Sequence, residues 1–226
     1  MWILVGCEES QAVTIELRKS GHEAFSCDLL PCSGGHPEWH IQGDVFYAIG
    51  GGYILTQDNK YIWVEQWDMG IFHPTCTYLT TTGNRWNFHP DDKHLPGNER
   101  RVHPRFPDRK KQIDEAEAFF MKLVNCNIPK IAIENPRGVM SSRYRKPDQY
   151  IHPYQFGDPY QKLSGLWLKE LPKLIPTNVV EPKKAPKGKD NALWYETLLL
   201  PEFERKRVRS KTFSGIAKAM AEQWTK

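Results

Sequence analysis

Apolar positions recur along this chain with two periods. Trp2 to Val5 is a continuous apolar run that ends at Gly6; Gln11 to Lys19 then sets Ala12, Val13, Ile15 and Leu17 at helical spacing before Gly21 stops the helix. EAFSCDLL follows as a second strand closing on Asp28, and the Pro/Gly/Ser-rich PCSGGHPEWH leads to Gly43, Asp44 and Val45. Strand, helix, strand, loop is the opening of a doubly wound α/β sheet. YIL and YIWV around the turn-prone QDNK predict an inserted hairpin at about 50–66, and DMGIF predicts a strand that delivers HPTC to its carboxyl end. Ile113 to Val124 carries the clearest helical pattern. KIAIENP reads as a buried strand ended by Pro136, and a last helix is expected from Gly215 to Trp224.

Between Thr80 and Lys111 the periodicity disappears. There Arg85, Lys93, Arg100, Arg101, Arg105, Arg109, Lys110 and Lys111 outnumber Asp91, Asp92, Glu99 and Asp108, and so long an irregular loop in a compact domain calls for a functional reason. Solvated phosphate-binding loop and plain surface loop both fit. A Pro/Lys-rich segment at about 175–192 reads as a solvated linker. With 226 residues and 39% hydrophobic content, the pattern implies one domain over 1–226.

No apolar run approaches the roughly 18 residues of a membrane span, so no membrane partner is expected. MWILVGCEES turns polar early and lacks a basic leader, so it reads as a first strand and not as a signal peptide; a cytoplasmic protein is the expectation. Cys7, Cys27, Cys32, Cys76 and Cys126 have no framework spacing and are expected to be reduced thiols. The net charge of +4 is too small to require a polyanionic partner, but the basic residues are clustered. Eight tryptophans exceed what a small core needs.

Ligands of a doubly wound sheet bind outside the carboxyl ends of its strands, so the residues ending each apolar run are the candidates. Gly6, followed by Cys7, Glu8, Glu9 and Ser10, precedes a helix N-terminus, and Asp28, an acid about 20 residues on, can take both hydroxyls of a ribose. This pairing points to an adenosine-type cofactor. Without GxGxxG, and with two acids at the turn, a cationic or zwitterionic ligand suits it better than a pyrophosphate. Cys76, between Thr75 and Thr77 just beyond a strand, is either a thiol facing a ligand or a small buried hydrophobe. Glu134 after three apolar residues is either a chemical acid or a partner for nearby backbone. Cys27, Cys32, His36 and His40 have the ligand types of zinc, yet Cys27 precedes Asp28 in a strand and points to the opposite face, so no metal is expected.

Taken in order, the Gly-bearing turn, Asp28, Asp44-Val45, Pro74-Thr75-Cys76 and Glu134-Asn135-Pro136 resemble the DNA cytosine-5 methyltransferases, whose hallmarks are a Pro-Cys nucleophile motif and a Glu-Asn acid motif. GCEES, SCDLLP, HPTCTYLT, IENPRGVM, LWLKELPKL and TFSGIAKAMAEQW are similar to the small phage-type members that lack a large target-recognition domain. The resemblance spans nearly the whole chain. Pro-Thr-Cys stands for the family's Pro-Pro-Cys, GCEES replaces its Phe-x-Gly-x-Gly turn, and Lys162 in YQKLSGLWL is the candidate for the position of its Gln-x-Arg-x-Arg motif.

The resemblance implies a Rossmann-like sheet of the class I S-adenosylmethionine-dependent methyltransferase type. It assigns Cys76 as the nucleophile on carbon 6 of cytosine and Glu134 as the group holding ring nitrogen 3 and the exocyclic amine. Pro74, Thr75, Asn135, Pro136, Arg137 and Lys162 would surround the base, with Arg85, Arg100 and Arg101 on DNA and Trp86, Phe88 or Phe106 filling the gap left by a flipped base. S-adenosylmethionine, or a modified form of it, would meet Gly6, Cys7, Glu8 and Ser10 at its amino-acid tail, Asp28 at its ribose, Leu29 at the adenine face and Asp44 and Val45 at the adenine edge; Ser214 and Gly215 would close the pocket. The setting implied is a bacterial or phage-infected cell. Two other readings stay open: a pyrimidine-modifying enzyme acting on RNA or a nucleotide, and a non-catalytic nucleic-acid-binding relative.

Overall fold

A computed structural model describes residues 1–187 and 191–226; Lys189 of the Pro/Lys-rich segment lies outside the described residues. β1 (Trp2–Gly6) leads through α1 (Ala12–Lys19) to β2 (Glu23–Asp28), β3 (His40–Gln42) and α2 (Val45–Ile49). β4 (Gly52–Leu55) and β5 (Tyr61–Val64) form an antiparallel hairpin before β6 (Met69–Phe72). Two 3-10 turns, Thr81–Trp86 and Pro90–His94, precede α3 (Arg109–Val124). Then come β7 (Lys130–Pro136), α4 (Met140–Arg143), β8 (Gln149–Ile151), β9 (Ser164–Lys169), α5 (Ala192–Glu196), α6 (Glu202–Ser210) and α7 (Ser214–Trp224).

The main sheet has seven strands in the order β3-β2-β1-β6-β7-β9-β8. β3, β2, β1, β6 and β7 run parallel, and β9 is reversed between β7 and β8. Both faces are covered, which is why the strands read as unbroken apolar runs. Ile3, Val5, Met69 and Ile71 pack with Val13 and Leu17 of α1 and Ile216, Met220 and Trp224 of α7. Leu4, Phe72, Ile131 and Ile133 pack with Val45 and Ala48 of α2 and Phe120 and Leu123 of α3. The fold is the α/β sheet wound with helices on both faces that the pattern predicts. The chain leaves β1 first toward β2 and β3, then returns across to β6, so a topological switch point opens at the carboxyl ends of β1 and β6.

The hairpin buries Ile54 and Val64 in the core while Tyr53, Leu55, Tyr61 and Trp63 of its other face are exposed. α3 starts at Arg109, earlier than the apolar spacing indicates, because its first turn is charged and carries no hydrophobic signal. β3, α2, β8, β9, α5 and α6 have no counterpart in the sequence pattern; most span only a few residues, fewer than one or two periods of either kind. No described helix is long and apolar enough to cross a membrane.

Candidate active site

The register of the sheet places the chemistry. Phe72 of β6 lies beside Ile133 of β7, so His73, one residue beyond, comes alongside Glu134. Its Nδ1 is 3.6 Å from Glu134 Oε2, an ion-pair contact slightly longer than a hydrogen bond. On the other side of β7 the reversed strand β9 begins where β7 ends, with Pro136 opposite Ser164 and Glu134 opposite Leu166. Reversal therefore delivers Ser164, and Lys162 just before it, to the same carboxyl edge. Glu134 is mostly buried, its side chain 18% exposed.

Cys76 reaches this edge on a turn held from both sides. Its carbonyl accepts the N–H groups of Leu79 and Thr80. Asn135 Nδ2 donates to the Pro74 carbonyl at 2.8 Å, and the Leu79 carbonyl accepts the Val139 N–H at 2.8 Å. Thr80 and Gly138 form an isolated bridge, and a Cβ built on Gly138 would stand 1.7 Å from the Leu79 carbonyl oxygen. The loops after β6 and β7 are thus packed backbone to backbone, which only glycine at 138 allows. Cys76 is half-buried, with Thr75 and Thr77 exposed on either side.

Electrostatics couple these groups. Burial, then the Glu134 carboxylate, push the Cys76 thiol up, while the Lys162 ammonium pulls it down. Burial alone would raise Glu134; His73, Lys162 and a Ser164 hydroxyl bond outweigh it and hold the carboxyl at about 2. The resting site is therefore a thiol beside a carboxylate and an ammonium. Alkylation of Cys76 by iodoacetamide is expected to be slow near pH 7 and to climb as pH rises beyond the ordinary thiol range. Glu134→Gln is expected to accelerate it and Lys162→Met to slow it; equal rates in all three proteins at every pH would contradict the coupling.

At the ends of β1, β2 and β3 the donor set is acidic. The Cys7 thiol is pushed up to about 12 by burial, then by the charges of Asp28 and Asp44. Cys7 and Gln11 adopt left-handed backbone, with φ of 60° and 56°. Asp28 is raised by burial and accepts the Leu30 N–H at 2.9 Å; Leu29 beside it is 75% exposed. Two carboxylates and an exposed apolar side chain fit ribose hydroxyls, a positive centre and a ring face, and so fit an adenosyl sulfonium. Asp44 also caps α2 through the Phe46 N–H.

Several residues expected at ligands have other duties here. Glu8 is buried and accepts from Val13 N at 2.7 Å and from the Thr14 N–H and hydroxyl, so its carboxylate serves the N-terminus of α1. A Cβ on Gly6 would meet Phe72 and Val45 at 2.6 Å, so this glycine makes room for the core; Val45 is itself buried there, and Ser10 is buried too. Asn135, 1% exposed, clamps Pro74, itself buried, and does not face the crevice. The N-terminus of α7 is held by Asp158, which accepts from Ser214 Oγ and Gly215 N, and the Phe156 carbonyl fills the space a Cβ at 215 would need. Pro136 is partly buried, and Arg137 is exposed with its carbonyl accepting from Thr81 N.

In the basic loop, Arg101 closes a bidentate pair on Asp92, whose carboxyl it holds far below the usual range. Arg100 donates to the Leu95 and Lys93 carbonyls, and buried Arg109 to Asn87. These arginines hold the loop's own shape, with the Arg101 side chain still 65% exposed. Arg85 is exposed and stacks over Trp86. Among the former zinc candidates, the His40 ring sits between Ser26 Oγ and the Leu30 carbonyl, the Cys27 thiol bonds the Gly43 carbonyl and His36 stacks on Trp39. Among the described residues, no group of three or more His, Cys, Asp or Glu is arranged to hold a metal.

No protein-family model and no curated protein matches this chain. The site therefore rests on its own residues. Sequence reasoning gave no role to His73, Ser164 or Asp158. His73 carried a usable signal, as a histidine ending one strand beside an acid ending the next; Ser164 had none, because β9 is invisible without its partners.

Proposed function

We propose that this protein is a cytosine-5 alkyltransferase acting on DNA with S-adenosylmethionine, in a class I methyltransferase-type sheet. The observation that carries the reading is the paired carboxyl ends of β6 and β7, where His73 lies 3.6 Å from Glu134 and Asn135 clamps the turn that bears Cys76, with Lys162 leading into β9 at the same edge and an acid-lined turn after β1 suited to an adenosyl sulfonium.

Carbon 5 of cytosine is a poor nucleophile. The Cys76 thiol gives its proton to solvent water, Lys162 partly offsetting the charge of the thiolate, and the sulfur bonds to carbon 6 and leaves the electron pair on carbon 5. Glu134 accepts the exocyclic amine. Its low proton affinity makes it a poor donor to ring nitrogen 3 on its own, so the proton is relayed through the His73 ring, whose Nδ1 is 3.6 Å from Oε2: it passes from Nδ1 to Oε2 and on to nitrogen 3 as negative charge grows on the ring, and solvent water replaces it on His73. S-adenosylmethionine, when bound, supplies the alkyl group. Water removes the carbon 5 proton, nitrogen 3 returns its proton through Glu134, the sulfur–carbon 6 bond breaks, and the released Cys76 thiolate takes a proton from water. Asn135 acts through Pro74 to place the thiol.

His73→Gln is expected to lower kcat about 10²-fold, with a smaller change in KM; a parental kcat would remove His73 from proton delivery. The test of the reading as a whole is mass spectrometry of nucleosides from DNA incubated with the protein and S-adenosylmethionine. Cytosine heavier by one alkyl group at carbon 5 supports it. Product only on RNA or free nucleotide moves the reading to that substrate, and binding without product would make the protein a non-catalytic relative.

A further inference from the structure

Beside the reactive edge stands an arm built from α5 and α6. α5 and α6 are stapled together by Arg209, which donates to Thr197 Oγ1 at 2.8 Å and to the Trp194 carbonyl at 2.9 Å while lying over the Trp194 ring. Arg205, one turn earlier on the same face, donates to the Leu198 carbonyl. The arm's base is tied to the site: Lys162 Nζ donates to the Arg209 carbonyl at 2.9 Å, and the charge of Lys162 is the one that Cys76 and Glu134 both sense.

The outward face combines two features that water tolerates badly together. Leu199 is 95% exposed and Phe203 67%, at the turn where α5 passes into α6. Behind them, Lys206, Arg207 and Lys211 are exposed, and among the described residues Lys206 alone of these three forms an ion pair, to Glu202. Residues 202–211 carry five cations against two acids. A plain solvated helix has no use for an exposed phenylalanine, and an apolar docking partner has no use for the cations. A DNA strand meets both, with phosphates for the cations and an unstacked step for the aromatic wedge.

We propose that the α5–α6 arm is the DNA grip of this protein, with Arg207 and Lys211 on phosphates and Phe203, backed by Leu199, entering the stack where the target base leaves it. The inference rests on the reading of the strand-end site as a base-modifying centre. It places the main contacts here and not in the loop at 80–111, most of whose arginines are engaged internally.

The experiment is fluorescence anisotropy of labelled duplex DNA titrated with the full-length protein over a range of salt. Arg207→Ala with Lys211→Ala is expected to weaken binding about tenfold near 0.1 M salt and to lower the salt slope by about 2. Phe203→Ala is expected to keep the salt slope and to lose the fluorescence rise of 2-aminopurine placed at the flipped position. Circular dichroism checks that each variant is folded, and Cys76→Ser, which leaves the arm intact, is expected to bind as the parent does. Parental affinity and slope in the arm variants, with loss instead in Arg85→Ala, would overturn the assignment. So would loss of binding to anionic vesicles with none to DNA. If the arm variants lose DNA but the parent yields no modified cytosine, the grip stands and the proposed chemistry falls.

Discussion

Cys76→Ser is expected to abolish product formation, by at least about 10³-fold in kcat, while leaving DNA binding and the melting temperature nearly unchanged. A serine hydroxyl at this position has no base to take its proton, whereas a thiol, intrinsically far more acidic, reaches its anion even though burial and Glu134 push it up, with Lys162 offsetting part of that rise. Because Cys76 is only half-buried, losing its sulfur costs little packing. Turnover by the serine protein at a rate near the parent's would mean that the nucleophile is elsewhere.

Gly138→Ala is expected to be severely damaging. The added carbon would overlap the Leu79 carbonyl oxygen, and since both are backbone, neither can turn away. The loops carrying Cys76 and Glu134 must then separate, at a cost of about 3 kcal/mol in stability. Misplacement by about 1 Å at reacting groups costs about 10² in rate, so activity is expected to fall further than the folded fraction does. Urea unfolding and initial rates measured on the same preparation check both. A variant with parental stability would show that the two loops are not clamped as described.

Much of the fold is legible in the sequence, and the reason is burial on both faces. Trp2 to Gly6, Met69 to Phe72 and Lys130 to Ile133 carry few polar interruptions because helices cover them above and below. β9 is not legible in the same way: its apolar core, Leu166 to Leu168, sits among prolines and cations, and it becomes a strand only by pairing with β7 and β8. With β9 hidden, the convergence of Lys162 on Glu134 follows from resemblance alone, although the reversed strand supplies its physical cause. The tryptophan excess divides the same way. Trp67, Trp167 and Trp224 fill the two cores, while Trp63 and Trp194 are exposed on the hairpin and the arm.

The turn after β1 shows the converse, where residue type suggested a ligand and the structure supplies a neighbour. Gly6, Glu8 and Ser10 are of kinds that bind small molecules, but glycine also admits a phenylalanine ring, and a buried glutamate also caps a helix. Side chains choose between such duties by what lies opposite them, which spacing along one chain does not reveal. Cys76 and Glu134 differ because β6, which leads into the turn bearing Cys76, pairs directly with β7, which carries Glu134.

The most direct measurement is covalent trapping on duplex DNA carrying 5-fluorocytosine, with S-adenosylmethionine present. Fluorine at carbon 5 leaves no proton to remove, so the sulfur–carbon 6 bond cannot be released once the alkyl group is on. A denaturation-resistant protein–DNA adduct, mapped by peptide mass spectrometry to Cys76 and absent in Cys76→Ser, is the predicted result. Turnover of ordinary cytosine with no adduct on the fluorinated strand, or an adduct mapped to another residue, would contradict it.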